Sequence, residues 1–268
     1  MVDPWKQVSL THSFFLDRYE VTVDRLKAWV AAGSPPPCTM ATAQPDGTCP
    51  LDPTGAYPEM RWHVEWNPSV GHDFSVDCAS PWSQNGSTYP VAGGGQFPAN
   101  CVSWTEAVAF CAWEGQKRLP TQVEWNYEAR AGDHRSFVWG NTAPDCTFAT
   151  FDLGGTFCGF PVPVGTAVMG ASAHGAFDLN GSIWEWGWDG TNASQFGVTA
   201  VEVPADSTNF TGVDLGTSAG SRPLFGGEWG EQPDNMDLVN GNGHSAGVSW
   251  PATDNRTTIG FRCVSTAP

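Results

Sequence analysis

The residues best suited to ligand contact lie near the C-terminal end of the chain, in residues 228–256. This segment is rich in Asn, Asp, Gly and Trp. Amide and carboxylate groups give adaptable hydrogen bonds and tryptophan gives a flat apolar face, a mixture that sugar or peptide recognition requires. The candidate ligand-binding residues are Trp229, Glu231, Asn235, Asn242, His244 and Trp250. The alternative is an ordinary loop in which Asn and Gly serve turns and Trp229 and Trp250 belong to the core.

The six histidines are candidates for a transition-metal site, because imidazole nitrogen is a common ligand of such metals. They are His12, His63, His72, His134, His174 and His244. They form no HxH or HxxxH pair, and no cysteine–histidine cluster has zinc spacing, so each is expected to be a surface or hydrogen-bonded histidine. Assembly of three of them in space stays open.

Several common enzyme classes have no motif in this sequence. It contains no GxSxG elbow, P-loop, Rossmann glycine pattern or HExxH, so hydrolase, nucleotide-binding and zinc-protease chemistry has no support. The 28 acidic and 12 basic residues give a formal net charge of −16, which argues against a nucleic acid or an anionic membrane surface as partner. The charge fits a solubilising acidic surface; binding of cations or basic partners is the alternative.

The composition is that of a globular protein. Of the 268 residues 40% are hydrophobic, and no apolar stretch is long enough to cross a bilayer. Thirty-one glycines and 21 prolines interrupt long regular elements. We therefore expect one domain over residues 1–268, little regular secondary structure and no membrane insertion. Residues 33–100 show no sustained period and are predicted to form a long loop-rich insertion.

The eight cysteines favour disulfides over a metal site. Two pairs, Cys38 with Cys49 and Cys146 with Cys158, bracket turn-rich segments, and each is predicted to close a short loop. The other cysteines are Cys78, Cys101, Cys111 and Cys263, and spacing does not decide their pairing. Because disulfides persist in oxidising compartments, we expect a secreted, periplasmic or cell-surface protein whose signal segment is absent from this chain.

Local patterns predict the elements that position these residues. Residues 13–32 fit a strand followed by a helix. Ser103 to Glu106 and Thr121 to Glu124 are capping boxes that begin two further helices. Beyond residue 132 the sequence predicts short strands and bends, with at most a short helix near Ser182 to Trp186.

Four short motifs combine helix-start or turn signals with tryptophan in a fixed order. They are CVSW from Cys101, RLPTQVEW from Arg118, DLNGSIWEW from Asp178, and GGEW from Gly226 with a closing GFRC from Gly260. Together they resemble the formylglycine-generating enzyme, or sulfatase-modifying factor, family. The resemblance spans roughly residues 10 to 264, but the family's Met-Gly turn before the first strand is missing, so a truncated N-terminus is expected.

The resemblance implies a fold and one disulfide. The fold is α+β and related to C-type lectins, low in regular secondary structure, with few helices, small antiparallel sheets and disulfide ties. The implied long-range disulfide joins Cys111 to Cys263. Cys78 and Cys101 are then paired by elimination.

The resemblance also bears on catalysis. The family's enzymes convert a substrate cysteine to formylglycine with copper(I) held by two cysteine thiolates that have four residues between them. Glu231 and Met236 occupy those positions here, and a hard carboxylate with a weak thioether does not replace two thiolates, so copper is not expected. We predict an exported pseudoenzyme that binds a glycan or peptide in the family's substrate groove. The alternative is an oxygen-dependent metalloenzyme, for formylglycine generation or a related oxidation, with non-cysteine ligands such as histidines with Glu231.

Calcium and iron are the other metals that the resemblance brings in. Two family calcium sites each use an asparagine, and Thr150 and Ser182 occupy those positions while Glu185 is retained. We predict at most one calcium site, at Ser182 and Glu185; alternatively Glu185 only fastens a turn by hydrogen bonds. The related sulfoxide synthases bind iron through histidines supplied largely by an additional helical domain, which is not found within these residues.

Overall fold

The computed structural model describes residues 10–74, 87–159, 162–190, 220–238 and 258–267, and the backbone of residues 248–251. Its helices are α1 (Val23–Ala31), α2 (Trp104–Trp113), α3 (Gln122–Arg130) and α4 (Pro233–Met236), with 3-10 turns at Val64–Ser69 and Val168–Gly170. Its strands are β1 (Phe14–Leu16), β2 (Thr48–Pro50), β3 (Arg61–His63), β4 (Trp184–Trp186), β5 (Ser221–Phe225), β6 (Val248–Pro251), β7 (Ile259–Gly260) and β8 (Val264–Thr266). No helix in this part of the chain is long and apolar enough to cross a membrane.

The strands form small sheets. β1 pairs with β8 and β2 pairs with β3, both antiparallel. A four-stranded sheet has the order β6, β5, β4, β7, in which β4 runs parallel to β7 and antiparallel to β5. Glu185 on β4 therefore lies opposite Phe225 on one side and Gly260 on the other. This central sheet brings the WEW, GGEW and GFRC motifs together.

Both predicted capping boxes are confirmed. The Ser103 hydroxyl accepts from the Glu106 amide, and the Glu106 carboxylate accepts from the Ser103 amide. Thr121 and Glu124 make the same reciprocal bonds at the start of α3. The predicted strand and helix within residues 13–32 are likewise present, as β1 and α1.

The predicted short helix near Ser182 to Trp186 is wrong, because these residues lead into β4. Ser182 has a φ of 62°, a left-handed conformation outside the α-helical range. The WEW residues then pair with β5 and β7. Long-range strand pairing, which a local pattern does not report, decides the structure here.

Residues 33–100 contribute to the main core. Leu51, Tyr57, Met60, Trp62 and Trp66 are each at most 3% exposed and pack in the same apolar cluster as α2. The segment also holds β2, β3 and a 3-10 turn. Its prolines and glycines keep the helices and strands short, but its aromatic side chains are buried as in the core of a domain with regular secondary structure.

Three predicted disulfides are confirmed: Cys38–Cys49, Cys111–Cys263 and Cys146–Cys158. Cys101 is also disulfide-bonded. The pairing predicted for it, with Cys78, involves a position outside the described residues. No free cysteine is found in the part of the chain that the structure describes.

Two buried ion pairs join the motifs. Arg118 of RLPTQVEW donates to both oxygens of Glu124 at 2.6 and 2.7 Å, and neither side chain is more than 1% exposed. Arg262 of GFRC donates to both oxygens of Glu185 at 2.8 and 2.5 Å, also fully buried. Bidentate pairs of this kind fix orientation as well as charge. The motif arginines and glutamates therefore act as structural clamps.

The motif tryptophans complete this frame through their indole N–H groups. Trp104 donates to the Gly187 carbonyl at 2.9 Å, and Trp186 donates to the Val102 carbonyl at 2.8 Å. Trp125 donates to Glu185 at 3.1 Å. Because a buried indole N–H needs an acceptor, these bonds explain why tryptophan, rather than another large apolar residue, recurs in the motifs.

Candidate functional site

Gly226 and Gly227 turn the chain from β5 into the candidate site. Both have positive φ, 91° and 83°, a conformation that glycine adopts without steric cost. The Gly226 carbonyl accepts from the Gly181 amide at 2.9 Å, and the Trp229 amide donates to the Ser182 carbonyl at 3.0 Å. The GGEW segment is thereby bonded to the turn that leads into β4.

Met236, at the end of α4, points into the protein. It is 0% exposed and packs with Ala149 and Phe151. Its carbonyl accepts from the Asn180 side chain at 3.1 Å. A Cβ placed on Gly227 would lie 3.0 Å from Met236 Cγ and 3.4 Å from its Sδ. The thioether is therefore enclosed, and Gly227 is the residue that leaves room for it.

Glu231 is half-buried and also lies close to Gly227. Its Cγ would lie 3.9 Å from the same added Cβ, so Glu231 and Met236 flank one point. One carboxylate oxygen accepts from the Asn235 side chain at 2.6 Å, and the Glu231 carbonyl accepts from the Asp152 amide at 2.9 Å. The two positions that hold cysteines in the family's enzymes are therefore neighbours in this chain.

The residues at these two positions do not fit copper(I). A two-thiolate site needs two soft, ionised sulfur ligands that reach the same ion. Here one position gives a carboxylate oxygen that is hydrogen-bonded to Asn235, and the other gives an uncharged sulfur inside an apolar cluster.

Glu228 places a second carboxylate in the same turn. Burial raises its pKa to about 7, although the Gly230 amide lowers it, and the nearby Glu231 charge raises it further. The Gly230 amide donates to this carboxylate at 3.1 Å. Glu228 therefore changes charge near neutral pH beside Glu231.

The other predicted ligand-binding residues have mixed positions. Trp229 is only 8% exposed, which agrees with the alternative that it belongs to the core rather than offering a face to a ligand. Asn235 lies beside Glu231 as described above. Asn242 and His244 lie outside the described residues. Of Trp250 only the backbone is described, in β6 opposite Arg222.

The predicted calcium residues have protein partners. Both oxygens of Glu185 accept from Arg262, and one also accepts from Trp125. The Ser182 hydroxyl donates to Glu20 at 3.2 Å. A carboxylate already bound to a guanidinium is poorly available to a cation, so the contacts favour the alternative that Glu185 fastens the turn. Calcium at this pair stays a prediction.

Around Glu20 several acidic groups are buried together. Burial raises the pKa of Glu20 well above its ordinary value, and the charges of Asp178 and Glu185 raise it further, while Arg262 lowers it. Burial also raises the pKa of Asp178. Arg262 is the cation in contact with this cluster.

The described histidines do not converge on a metal site. In the part of the chain covered by the structure, the one group of acidic, cysteine or histidine side chains close enough for a cation is Asp17, Glu114 and Cys263. Cys263 is bonded to Cys111, and the two carboxylates contact Arg25 and Lys117. This group is better described as an ion-pair cluster.

Sequence reasoning missed Glu228 and Asp152 as neighbours of Glu231. Asp152 reaches the site because the loop closed by Cys146–Cys158 hydrogen-bonds to the Glu231 backbone. That contact spans almost 80 residues and has no local signal. Glu228 did have a local signal, because it is a charged residue between Gly227 and Trp229, which is buried.

Comparison with known proteins gives relatives that carry different names. Hercynine oxygenase from Mycolicibacterium smegmatis is 34% identical over 191 residues, which cover 67% of this chain and 42% of that protein. The inactive C-alpha-formylglycine-generating enzyme 2 of Bos taurus is 32% identical over 188 residues, covering 64% of this chain and 51% of that protein. The chain thus spans about half or less of these relatives' length.

Solved structures and a family profile agree on the fold. PvdO from Pseudomonas aeruginosa aligns with a TM-score of 0.55 and 18% identity, covering 95% of this chain and 80% of PvdO, which is a likeness of fold. The α+β fold prediction, with few helices and small sheets, is confirmed. The profile of the sulfatase-modifying factor enzyme 1-like domain matches residues 2–267. The chain therefore belongs to the formylglycine-generating enzyme, or sulfatase-modifying factor, domain family.

Proposed function

We propose that this protein is a non-catalytic member of its family that binds a ligand at the surface around Glu231. The observation that carries the proposal is the pair of side chains at the family's copper positions. Glu231 is a hydrogen-bonded carboxylate, and Met236 is an enclosed thioether packed on Phe151. Neither can take the place of a thiolate, while both leave the surrounding turn intact.

The charges near Glu231 favour a cationic ligand. Residues 139–159 and 226–238, which meet at the Asp152–Glu231 bond, contain no lysine or arginine. Their acidic residues are Asp145, Asp152, Glu228, Glu231, Asp234 and Asp237. Arg130 on α3 borders this surface, where it donates to the Leu238 carbonyl and lies near Asp237. The carboxylates outnumber it, and an excess of one sign of charge raises the local concentration of oppositely charged partners. A peptide that carries lysine or arginine therefore fits this surface better than a neutral glycan.

Apolar contacts are available beside these carboxylates. In the loop closed by Cys146–Cys158, Leu153 is 41% exposed and Phe157 is 52% exposed. The loop is a hairpin, with Asp152 paired to Phe157 and the Leu153 amide bonded to the Thr156 carbonyl. Exposed apolar side chains on a loop held by a disulfide offer contact area at low entropic cost. They would pack against apolar residues of the bound peptide.

The names of the relatives bear on both hypotheses. The bovine relative is named an inactive enzyme, which supports loss of catalysis within this family. The mycobacterial relative is named an oxygenase, and it motivates the competing hypothesis of an oxygen-dependent metalloenzyme with other ligands. That hypothesis needs non-cysteine ligands, such as histidines, near Glu231, whereas the side-chain partner described for the Glu231 carboxylate is Asn235. The disulfides support a location in an oxidising compartment, as for an exported protein.

The binding proposal is tested with fluorescent peptides of matched length and apolar content. One series carries lysine or arginine, a second carries glutamate at the same positions, and a neutral glycan array is run in parallel. We expect the cationic peptides to bind, and salt to weaken the binding because surface charges are screened. The Glu231→Gln variant should bind several-fold more weakly.

Two controls make the test specific. Glu65→Gln removes an exposed carboxylate elsewhere, on the 3-10 turn, and should leave peptide binding unchanged. A sulfatase-type cysteine peptide, incubated with oxygen, reductant and either copper(I) or iron(II), is analysed by mass spectrometry. Conversion to the aldehyde would overturn the loss of catalysis. Binding of glycans only, or equal binding of all peptides, would overturn the assigned ligand class.

A further inference from the structure

A groove of about 810 Å³ lies away from the Glu231 surface. It is lined by residues 10–16, Arg18, Tyr127, Glu128 and residues 174–176. None of these residues belongs to the two acidic segments around Glu231. Pockets for small molecules typically measure roughly 300–1,000 Å³, so the groove has the size of a ligand site.

Aromatic rings form one wall of this groove. The rings of Tyr127 and His174 are parallel within 6°, with centroids 5.6 Å apart, and Phe14 meets Tyr127 edge-on at 6.2 Å. Tyr127 is 49% exposed and Phe15 is 67% exposed. These rings present flat apolar surface to solvent, where another ring can pack.

Glu128 holds His174 in place. The His174 Nδ1 lies 3.1 Å from one oxygen of the buried Glu128 carboxylate, and the Ser172 hydroxyl donates to the other oxygen. The Glu128 charge is therefore engaged by two protein groups. Among the described residues His174 Nε2 has no partner, so it remains for a ligand. A carboxylate that orients a histidine from behind in this way is a common arrangement at binding sites.

Arg18 is a cation at this groove, and no carboxylate of the described residues pairs with it. Its guanidinium lies 5.0 Å from the Phe177 ring and 5.5 Å from the Tyr19 ring. Within the described part of the chain it forms no ion pair, whereas Arg25, Arg118 and Arg262 each bind a carboxylate. An unpaired guanidinium is unexpected in a protein with more than twice as many acidic as basic residues.

We propose that this groove binds a small aromatic carboxylate. Arg18 recognises the carboxylate through two parallel N–H···O bonds, as guanidinium groups do, and it is held for this by the rings beneath it. The ligand ring packs on the Tyr127 and Phe14 side of the groove, and His174 Nε2 bonds to the ligand's polar edge. This site is independent of the peptide surface, because the two share no residue.

The test uses three probes of one shape with different charge: benzoate, benzamide and benzamidine. Their binding to the intact protein is measured by ligand-observed NMR titration in a buffer free of carboxylate and phosphate. Benzoate should bind saturably and at least tenfold more tightly than benzamide, with benzamidine weakest. Arg18→Gln should weaken benzoate binding about tenfold or more, since a bond to a charged group is lost, and Tyr127→Leu should weaken all probes.

Matched variants separate this site from general effects. Lys27→Gln removes a cation that also lies over a ring, that of Tyr89, and should leave benzoate binding unchanged, as should Glu231→Gln. Arg18 is exposed and loses only its ring contacts in Arg18→Gln, so this variant should stay folded and be destabilised by at most about 1 kcal/mol. Absence of saturable benzoate binding, equal affinity for benzamide, or an unchanged affinity in Arg18→Gln would overturn the proposal.

Discussion

Replacing Arg262 by Met should destabilise the protein far more than any surface substitution. Arg262 is 0% exposed and donates to both oxygens of Glu185, to the backbone carbonyl of Asp17 and to that of Phe177. Burial lowers its pKa, but the Glu185 charge and hydrogen bonds outweigh burial, so Arg262 stays charged. Among the described contacts of Glu185, the variant then keeps the hydrogen bond from the indole N–H of Trp125.

The expected loss is about 3–5 kcal/mol, the range for removing one partner of a buried ion pair. Glu20 and Asp178 push it toward the upper end, since Arg262 lowers the pKa of both. Without Arg262, the pKa values of Glu20 and Asp178, which burial already raises, rise further. The deficit should therefore be small near pH 4, below the ordinary glutamate pKa, and should grow as pH rises toward 7.

The assay is equilibrium unfolding in guanidinium chloride with the disulfides intact, at pH 4 and pH 7. The control is Arg61→Met, because Arg61 is one-third exposed and its contacts, a 3.6 Å pair with Asp46 and hydrogen bonds to Pro58, Gln44 and Thr48, are exposed or part-buried; the ion pair itself contributes at most about 1 kcal/mol. The double variant Arg262→Met with Glu185→Leu should be more stable than Arg262→Met alone, since the carboxylate that was bound to both Arg262 nitrogens no longer adds an unpaired buried charge. A loss below 1 kcal/mol, or no recovery in the double variant, would refute this reasoning.

Three further predictions concern Asp189, two of the disulfides and Glu228. Burial raises the pKa of Asp189 from 3.8 to about 7. The stability linked to its protonated form is therefore complete below pH 4 and is lost as pH rises through 7. In urea titrations, this loss in the free energy of unfolding should amount to up to about 4 kcal/mol, and Asp189→Asn should abolish it. Replacing Cys111 and Cys263 by Ser should lower unfolding free energy by about 5 kcal/mol, against about 3 kcal/mol for Cys146 and Cys158, because their separations are 152 and 12 residues; equal losses would contradict the loop-length explanation. Since the pKa of Glu228 is about 7, binding of a cationic peptide should weaken as pH falls from 8 to 6, and Glu228→Gln should flatten that profile in fluorescence titrations.

Much of the frame was predictable because its signals are local or follow from the family motifs. The capping boxes at Ser103 and Thr121 depend on residues three positions apart, and both are present. The short disulfide loops and the Cys111–Cys263 bridge were also predicted correctly. The capping boxes and the short loops depend on residue type and spacing, which a sequence states directly, whereas the Cys111–Cys263 bridge was implied by the family resemblance.

The site was predicted less completely, because its contacts join distant segments. The sequence indicated that Glu231 and Met236 replace the cysteines, but not that Met236 is enclosed by Phe151 and Ala149. It did not indicate that Arg262 and Trp125 donate hydrogen bonds to the Glu185 carboxylate. These bonds leave that carboxylate less available to calcium. The same reason explains the error at β4, since its strand pairing comes from β5 and β7.

The pairing of β1 with β8 has a mechanical consequence. Phe14 lies opposite Thr266, so a pulling force applied at residues 10 and 267 acts on the same end of this antiparallel ladder and opens its bonds one at a time, at low force. The Cys111–Cys263 bridge joins two cysteines that are 152 residues apart in sequence. It therefore keeps roughly 500 Å of chain from extending, at about 3.4 Å per residue. Under oxidising conditions the protein should yield early but extend only in part, and a reductant should release the remaining length.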